Sequence, residues 1–170
     1  MTQEGSPISD LELAVHARLA ELEIPFLRYE HPPVATVDEA RAHWGGIEAM
    51  HFKNLFLRNQ KGDRHYLAII EHAKNLDLKN LATQMGDGKL SFASPERLMK
   101  HLGLTPGSVS PFGLINDAAH AVRVFLDAEI KSATRVSFHP NINTATLVIS
   151  SGDFARFLEA SGHAVRYVSL

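Results

Sequence analysis

The chain contains no cysteine. Disulfides, thiolate nucleophiles, zinc–thiolate centres and iron–sulfur clusters are excluded together. No apolar run approaches the ~20 residues that a membrane-spanning helix needs. Met1 to Asp10 is polar and lacks the basic-then-apolar order of a secretory leader. A soluble, cytoplasmic protein with no membrane partner is the expectation. Several catalytic signatures are missing as well: His-Glu-x-x-His, a phosphate loop ending in Gly-Lys-Ser/Thr, and Gly-x-Gly-x-x-Gly after a strand. Gly86-Asp-Gly-Lys89 reads as a helix stop and a turn. Gly107-Ser-Val-Ser-Pro111 places proline where a nucleophile elbow has its second glycine, so a Ser-His-Asp hydrolase is not expected. The ten histidines share no ligand spacing and read as solvated or capping side chains. No metal and no cofactor is expected.

What is present is an ordinary globular composition: 170 residues, 45% hydrophobic and 21% charged. One domain of that length buries roughly 70% of the surface its unfolded chain exposes. The net charge is only −2, but it is unevenly spread. Residues 1–50 carry three Lys/Arg against nine Asp/Glu, residues 51–101 nine against five, and residues 102–170 five of each. Lys53, Arg58, Lys61 and Arg64 fall within twelve residues. Such a stretch is either a solvated hairpin with charged edges or a patch that meets a phosphate backbone.

Local signals order the elements. Ser9-Asp-Leu-Glu12 is a capping box, and Leu11, Val15, Leu19 and Leu22 have helical spacing, so 10–23 reads as a helix. Residues 24–30 read as a short strand. Thr36-Val-Asp-Glu39 caps a second helix that stops near Gly45-Gly46. Phe52 to Arg58 and His65 to Glu71 form a hairpin around a glycine-containing turn. A helix at 77–85 halts at Gly86, a strand follows at 89–93, and Ser94-Pro95-Glu96 opens a helix to about Leu102. Residues 105–113 are a loop by composition. Strands are expected at 121–126, 135–138 and 144–150, a helix at 153–160 and a closing strand at 163–168. The order lacks strict βαβ alternation, which points to a single α+β domain with a mixed β-sheet and flanking helices.

Three features carry possible chemistry. Lys53-Asn54 interrupts an apolar strand, and alternation puts Lys53 with Leu55 and Leu57, and Asn54 with Phe52 and Phe56. A lysine there either snorkels or points into a cleft, where desolvation strengthens its pull on a carbonyl or phosphate. The loop at 105–113 combines Gly107, which allows close backbone approach, with a stiffening Pro111. It is a ligand-holding loop or merely a well-made turn. In Phe138-His-Pro-Asn-Ile-Asn-Thr-Ala-Thr146, His139 faces a ligand or caps the turn.

Lys53-Asn-Leu-Phe-Leu57, Leu90-Ser-Phe-Ala-Ser94, Pro106-Gly-Ser-Val-Ser-Pro-Phe-Gly-Leu-Ile-Asn-Asp117 and the 138–146 segment resemble the YbaK/prolyl-tRNA-editing family. Within it they look most like the freestanding alanyl-tRNA(Pro) deacylases. The resemblance runs from about residue 9 to the end, implying a flexible segment at 1–8 and an editing domain at 9–170. It implies hydrolysis of an aminoacyl ester at the 3′ end of mischarged tRNA(Pro), with prolyl-tRNA synthetase or an elongation factor as transient partners. The implied catalytic group comprises Lys53, Gly107, Ser108 and Pro111. Asn54, Val109, Ser110, Phe112, His139 and Asn143 are the implied substrate-binding residues. Arg58, Lys61, Arg64 and Lys74 are candidates for tRNA contact. Ser110 stands where many relatives have threonine.

An aminoacyl ester is already activated, so a positioned water, oxyanion stabilisation and protonation of the leaving 3′-oxygen suffice. The family is thought to recruit the ribose 2′-hydroxyl for that task, which makes RNA the substrate. Selectivity is expected to be steric, since a proline pocket discriminates against alanine by only ~1–3 kcal/mol for the missing methylenes. Two alternatives stay open: deacylation of another mischarged tRNA, carrying cysteine or serine, and a non-catalytic nucleic-acid-binding module.

Overall fold

The computed structural model describes residues 8–34 and 36–170. The expected flexible segment at 1–8 lies outside them except for Ile8. Each helix starts where a side chain satisfies a free backbone amide. Ser9 accepts from the Glu12 amide to open α1 (Asp10–Glu21), and Thr36 from that of Glu39 to open α2 (Val37–Trp44). Asp77 caps α3 (Leu78–Met85), Ser94 caps α4 (Pro95–Leu102), and Ser150 caps α5 (Ser151–Ser161). Left-handed Gly86, Gly103 and Gly162 end the last three, as glycine does without penalty.

The strands are β1 (Leu27–Glu30), β2 (Met50–Asn59), β3 (His65–Glu71), β4 (Leu90–Phe92), β5 (Val122–Asp127), β6 (Arg135–Phe138), β7 (Ala145–Ser150) and β8 (Val165–Val168). They form one mixed sheet in the order β1-β7-β6-β2-β3-β5-β8, with β4 also on β2. Strand β2 pairs antiparallel with β3 from Phe52 to Arg58. Its other edge is shared: β6 runs parallel to it at Met50 and His51, and β4 antiparallel at Leu57 to Asn59. Between them a stretch of β2 centred on Asn54 faces a notch in the sheet.

Period-two alternation gives the sheet two apolar faces. Phe52, Phe56, Leu67, Ile69, Val124 and Leu126 join Val15 and Leu19 of α1, Leu98 and Leu102 of α4, and Phe154, Phe157 and Leu158 of α5. On the other face Leu57, Tyr66, Ala68, Ile70 and Phe125 meet Leu81, Ala82 and Met85 of α3.

Two sequence expectations are corrected. Leu11 does not belong to the buried face of α1: it is exposed, and Glu12 is buried in its stead. The Glu12 carboxylate does not return to its own cap but accepts from Arg28 at 2.6 and 3.0 Å and pairs with His16 at 2.8 Å. A buried carboxylate is tolerable only when paired in this way. The second half of the 105–113 segment is not loop, because Pro111–Asn116 forms a 3-10 helix capped by Ser110.

Candidate active site

The notch in β2 opens into a cavity of about 250 Å³ lined by Phe52, Lys53, Asn54 and Leu55 of β2, Gly107 and Val109, His139, and Val34, Thr36, Ala40 and Trp44. Side chains from both faces of β2 reach it because the cavity sits at an unpaired strand edge rather than on a face. Five of the sequence-derived site residues, Lys53, Asn54, Gly107, Val109 and His139, therefore meet at one place. The volume lies below the ~300–1,000 Å³ usual for drug-sized ligands, as a small acyl group would need.

Lys53 is half-buried, and its ammonium donates to the backbone carbonyl of Lys74. Burial pulls its pKa below the ordinary lysine value, with the Glu71 charge opposing that and the Arg41 charge adding to it. The 71–74 turn that offers the carbonyl is itself held from below. Asp127, fully buried, accepts from the amides of Glu71 and Glu129 at 3.0 Å each and from the Lys74 ammonium at 2.9 Å.

His139 hydrogen-bonds Ala145 O through Nδ1 at 2.9 Å. A carbonyl only accepts, so Nδ1 carries the proton and, in the neutral ring, Nε2 is an acceptor. Burial lowers the His139 pKa; the bond to Ala145 opposes the shift and the His31 charge adds to it. Asn54 contributes a buried Oδ1 with no hydrogen-bond partner among the described residues. The cavity thus presents one cationic donor and one neutral acceptor, with a second neutral acceptor, Asn54 Oδ1, buried in its wall.

The remaining candidates lie elsewhere. Ser108 is buried, its amide bonded to Thr105 O at 3.1 Å, and it does not line the cavity. Ser110 is fully buried and its hydroxyl accepts from the Phe112 amide at 3.1 Å. Pro111 starts the 3-10 helix, and the Phe112 ring packs edge-on against Phe138 and Phe157 in the core. These four side chains shape the loop from behind. Asn143 acts one step removed: its side-chain amide donates to Val34 O at 3.0 Å, and its main-chain carbonyl accepts from Val34 N at 3.2 Å, fixing a cavity wall. Lys74 and Arg64 are not free cations, since Lys74 pairs with Asp127 and Glu129 and Arg64 lies 3.8 Å from Asp87. Among the described residues Arg58 and Lys61 form no ion pair, although the charge of Lys61 acts on the nearby Asp63 carboxylate.

Sequence reasoning missed the wall formed by Val34, Thr36, Ala40 and Trp44. Thr36 was visible only as a helix cap. Trp44, the single tryptophan, stacks flat on His51 at 4.2 Å.

The aminoacyl-tRNA editing domain family matches residues 31–157. The chain is 42% identical, over 95% of its length and 98% of the relative's, to the prolyl-tRNA editing protein ProX of Acetoanaerobium sticklandii. It is 34% identical, over 91% of its length and 92% of the other's, to the prolyl-tRNA synthetase associated domain-containing protein 1 of Bos taurus. A crystal structure described as that of a candidate trans-editing enzyme for prolyl tRNA synthetase shares the fold, with a TM-score of 0.71 at 21% identity over 95% of this chain and 98% of that one. With its notch, its lysine and its loop set in this frame, the chain belongs to the aminoacyl-tRNA editing domain family.

Proposed function

We propose that the chain is a trans-editing aminoacyl-tRNA deacylase that hydrolyses mischarged alanyl-tRNA(Pro) to alanine and tRNA(Pro). The observation that carries this reading is the convergence of Lys53, Asn54, Gly107, Val109 and His139 on one small cavity in a chain of the editing family. In the reaction, the oxygen of a water attacks the ester carbonyl carbon and the bond to the ribose 3′-oxygen breaks. The water's proton passes, through the neighbouring 2′-hydroxyl, to the departing oxygen. The Lys53 ammonium faces the carbonyl oxygen as negative charge builds on it, and its partial desolvation strengthens that attraction. Asn54 Oδ1 and His139 Nε2 accept from the α-amino group of the alanyl moiety and set its orientation.

The walls made by Val34, Ala40, Phe52 and Val109 limit the acyl group. On this reading alanine is accommodated between them and the bulkier proline ring is turned away. Prolyl-tRNA synthetase or an elongation factor competes for or hands over the same charged tRNA. The test is a panel of charged tRNAs: release of alanine from alanyl-tRNA(Pro) is expected, with cysteinyl- and seryl-tRNA less affected. Turnover of cysteinyl- or seryl-tRNA ahead of alanyl-tRNA(Pro) overturns the specificity, and binding without turnover of any of them overturns the enzymatic reading.

A further inference from the structure

The far end of the β2–β3 hairpin collects positive charge in excess of the one carboxylate in its turn, Asp63, which Lys61 and Arg64 attract. Arg58 and Arg97 converge on the turn: a Cβ built on Gly62 would stand 3.3 Å from Arg58 Nη1 and 2.9 Å from Arg97 Nη2. Arg97 Nη1 donates to Gly62 O at 2.8 Å and lies 3.0 Å from His65 Nε2. Lys100 follows three residues later on α4, and Lys61 is exposed at the hairpin tip. His65, buried in their midst, is lowered to about 4 by its burial and then by the charges of His101, Arg97, Lys100 and Arg58. None of Arg58, Lys61, Arg97 and Lys100 forms an ion pair among the described residues, although Glu96 lies one turn before Lys100. Arg64 and Lys74, by contrast, have carboxylate partners. Like charges held together with too little counter-charge repel, and an external polyanion relieves them.

We propose that Arg58, Lys61, Arg97 and Lys100 form the surface that holds the phosphate backbone of the tRNA acceptor arm, with helix α4 supplying half of it. The proposal rests on the deacylase reading for its occupant. Four cations spread over a hairpin and a helix suit a chain of separate phosphates better than a single carboxylate. The spacing fits as well. Arg58 and Asn54 share a face of β2 and lie four residues apart, roughly 14 Å along an extended strand. An arm gripped at the hairpin end therefore presents its unpaired 3′ tail toward the notch.

The experiment uses the whole protein and two readouts. The first is binding of uncharged tRNA(Pro) as a function of salt. Each phosphate contact contributes a slope of about 0.7–0.9 in log K against log salt. The triple variant Arg58→Gln, Arg97→Gln, Lys100→Gln is expected to flatten the slope by about 2 to 3. Because Arg97 also braces the turn, the double variant Arg58→Gln, Lys100→Gln is measured beside it, with a loss of about 1 to 2 expected. The second readout is the ratio of kcat/KM for alanyl-tRNA(Pro) to that for 3′-O-alanyl-adenosine, which carries no phosphate for the patch to hold. That ratio is expected to fall about tenfold or more in the variants. Unchanged slopes and an unchanged ratio in both variants overturn the surface, including the case where an acidic protein occupies it. If wild-type protein releases no alanine from either substrate, the deacylase reading fails, and the binding slopes still decide whether the patch holds RNA.

Discussion

The ammonium of Lys53 donates to the main-chain carbonyl of Lys74, whose own ammonium is bound to Asp127 at 2.9 Å. One lysine is thereby aimed by the backbone of another, and the second is neutralised at its tip. This arrangement makes the two residues, both cations in the sequence, opposite in role: Lys53 lines the cavity, and Lys74 holds the turn that supports it.

Replacing Lys53 with Ala is expected to slow single-turnover deacylation by about 10²–10³-fold, the usual cost of removing one preorganised charge from an oxyanion site. Thermal unfolding should be little changed, because the residue is only half-buried and sits at the edge of the core. Rapid-quench assays of alanine release, paired with a melting curve, check both halves. A near-normal rate takes Lys53 out of the chemistry.

Asp127→Asn tests the support beneath it. The variant keeps the shape but loses the buried carboxylate charge that pairs with the partly exposed Lys74, which keeps Glu129 as its second partner. A loss of about 1–3 kcal/mol in stability is expected for removing a charged hydrogen-bond acceptor from a half-exposed pair, together with a fall in kcat larger than any rise in KM. Chemical denaturation and steady-state kinetics separate the two effects. A kcat that survives the loss of stability shows that the turn at 71–74 does not position Lys53.

The caps were legible because they are local. Ser9, Thr36, Ser94 and their downstream amides lie within three residues of one another, so spacing alone identifies them. The β2–β3 hairpin and the later strands, though not their order in the sheet, followed from alternation and turn residues, and Lys53-Asn54 stood out as polar residues in an apolar run. The notch did not, since it exists only because β6 and β4 share one edge of β2 without meeting. Glu12 was misread for the same reason: its partner Arg28 lies sixteen residues away, across the packing of α1 on β1. Ser110 shows a subtler limit. Its hydroxyl is used locally, to start a 3-10 helix in a segment whose composition suggested only loop.

Acid should unfold the protein by way of its buried imidazoles. His51 is lowered to about 4 by burial and then by the His72 charge, and His65 to about 4 by burial and its cationic neighbours. Both rings are neutral in the fold, whereas the unfolded chain takes up their protons below about pH 6.5. Their contribution is therefore complete above pH 6.5 and is lost as pH falls from there toward 4, of order 3 kcal/mol for each ring at the limit. Urea melts from pH 7 to pH 4 should show the decline, and His65→Gln should flatten it. A stability independent of pH over that range contradicts the burial of these rings.

Gly107 carries a φ of 88°, a conformation that a side chain resists, and it lines the cavity. Gly107→Ala is expected to cost roughly 1–2 kcal/mol in backbone strain and to reduce turnover by narrowing the space beside Lys53. Melting temperature and alanine release report the two consequences independently. Unimpaired turnover indicates that the loop does not approach the substrate.

The most direct measurement compares two substrates on the same tRNA. Purified protein is incubated with alanyl-tRNA(Pro) and, separately, with prolyl-tRNA(Pro), and the released amino acid is counted over time. Rapid release of alanine with prolyl-tRNA(Pro) left intact is the predicted result. Release of both at equal rates, or of neither, contradicts a small cavity in the β2 notch acting as the sieve.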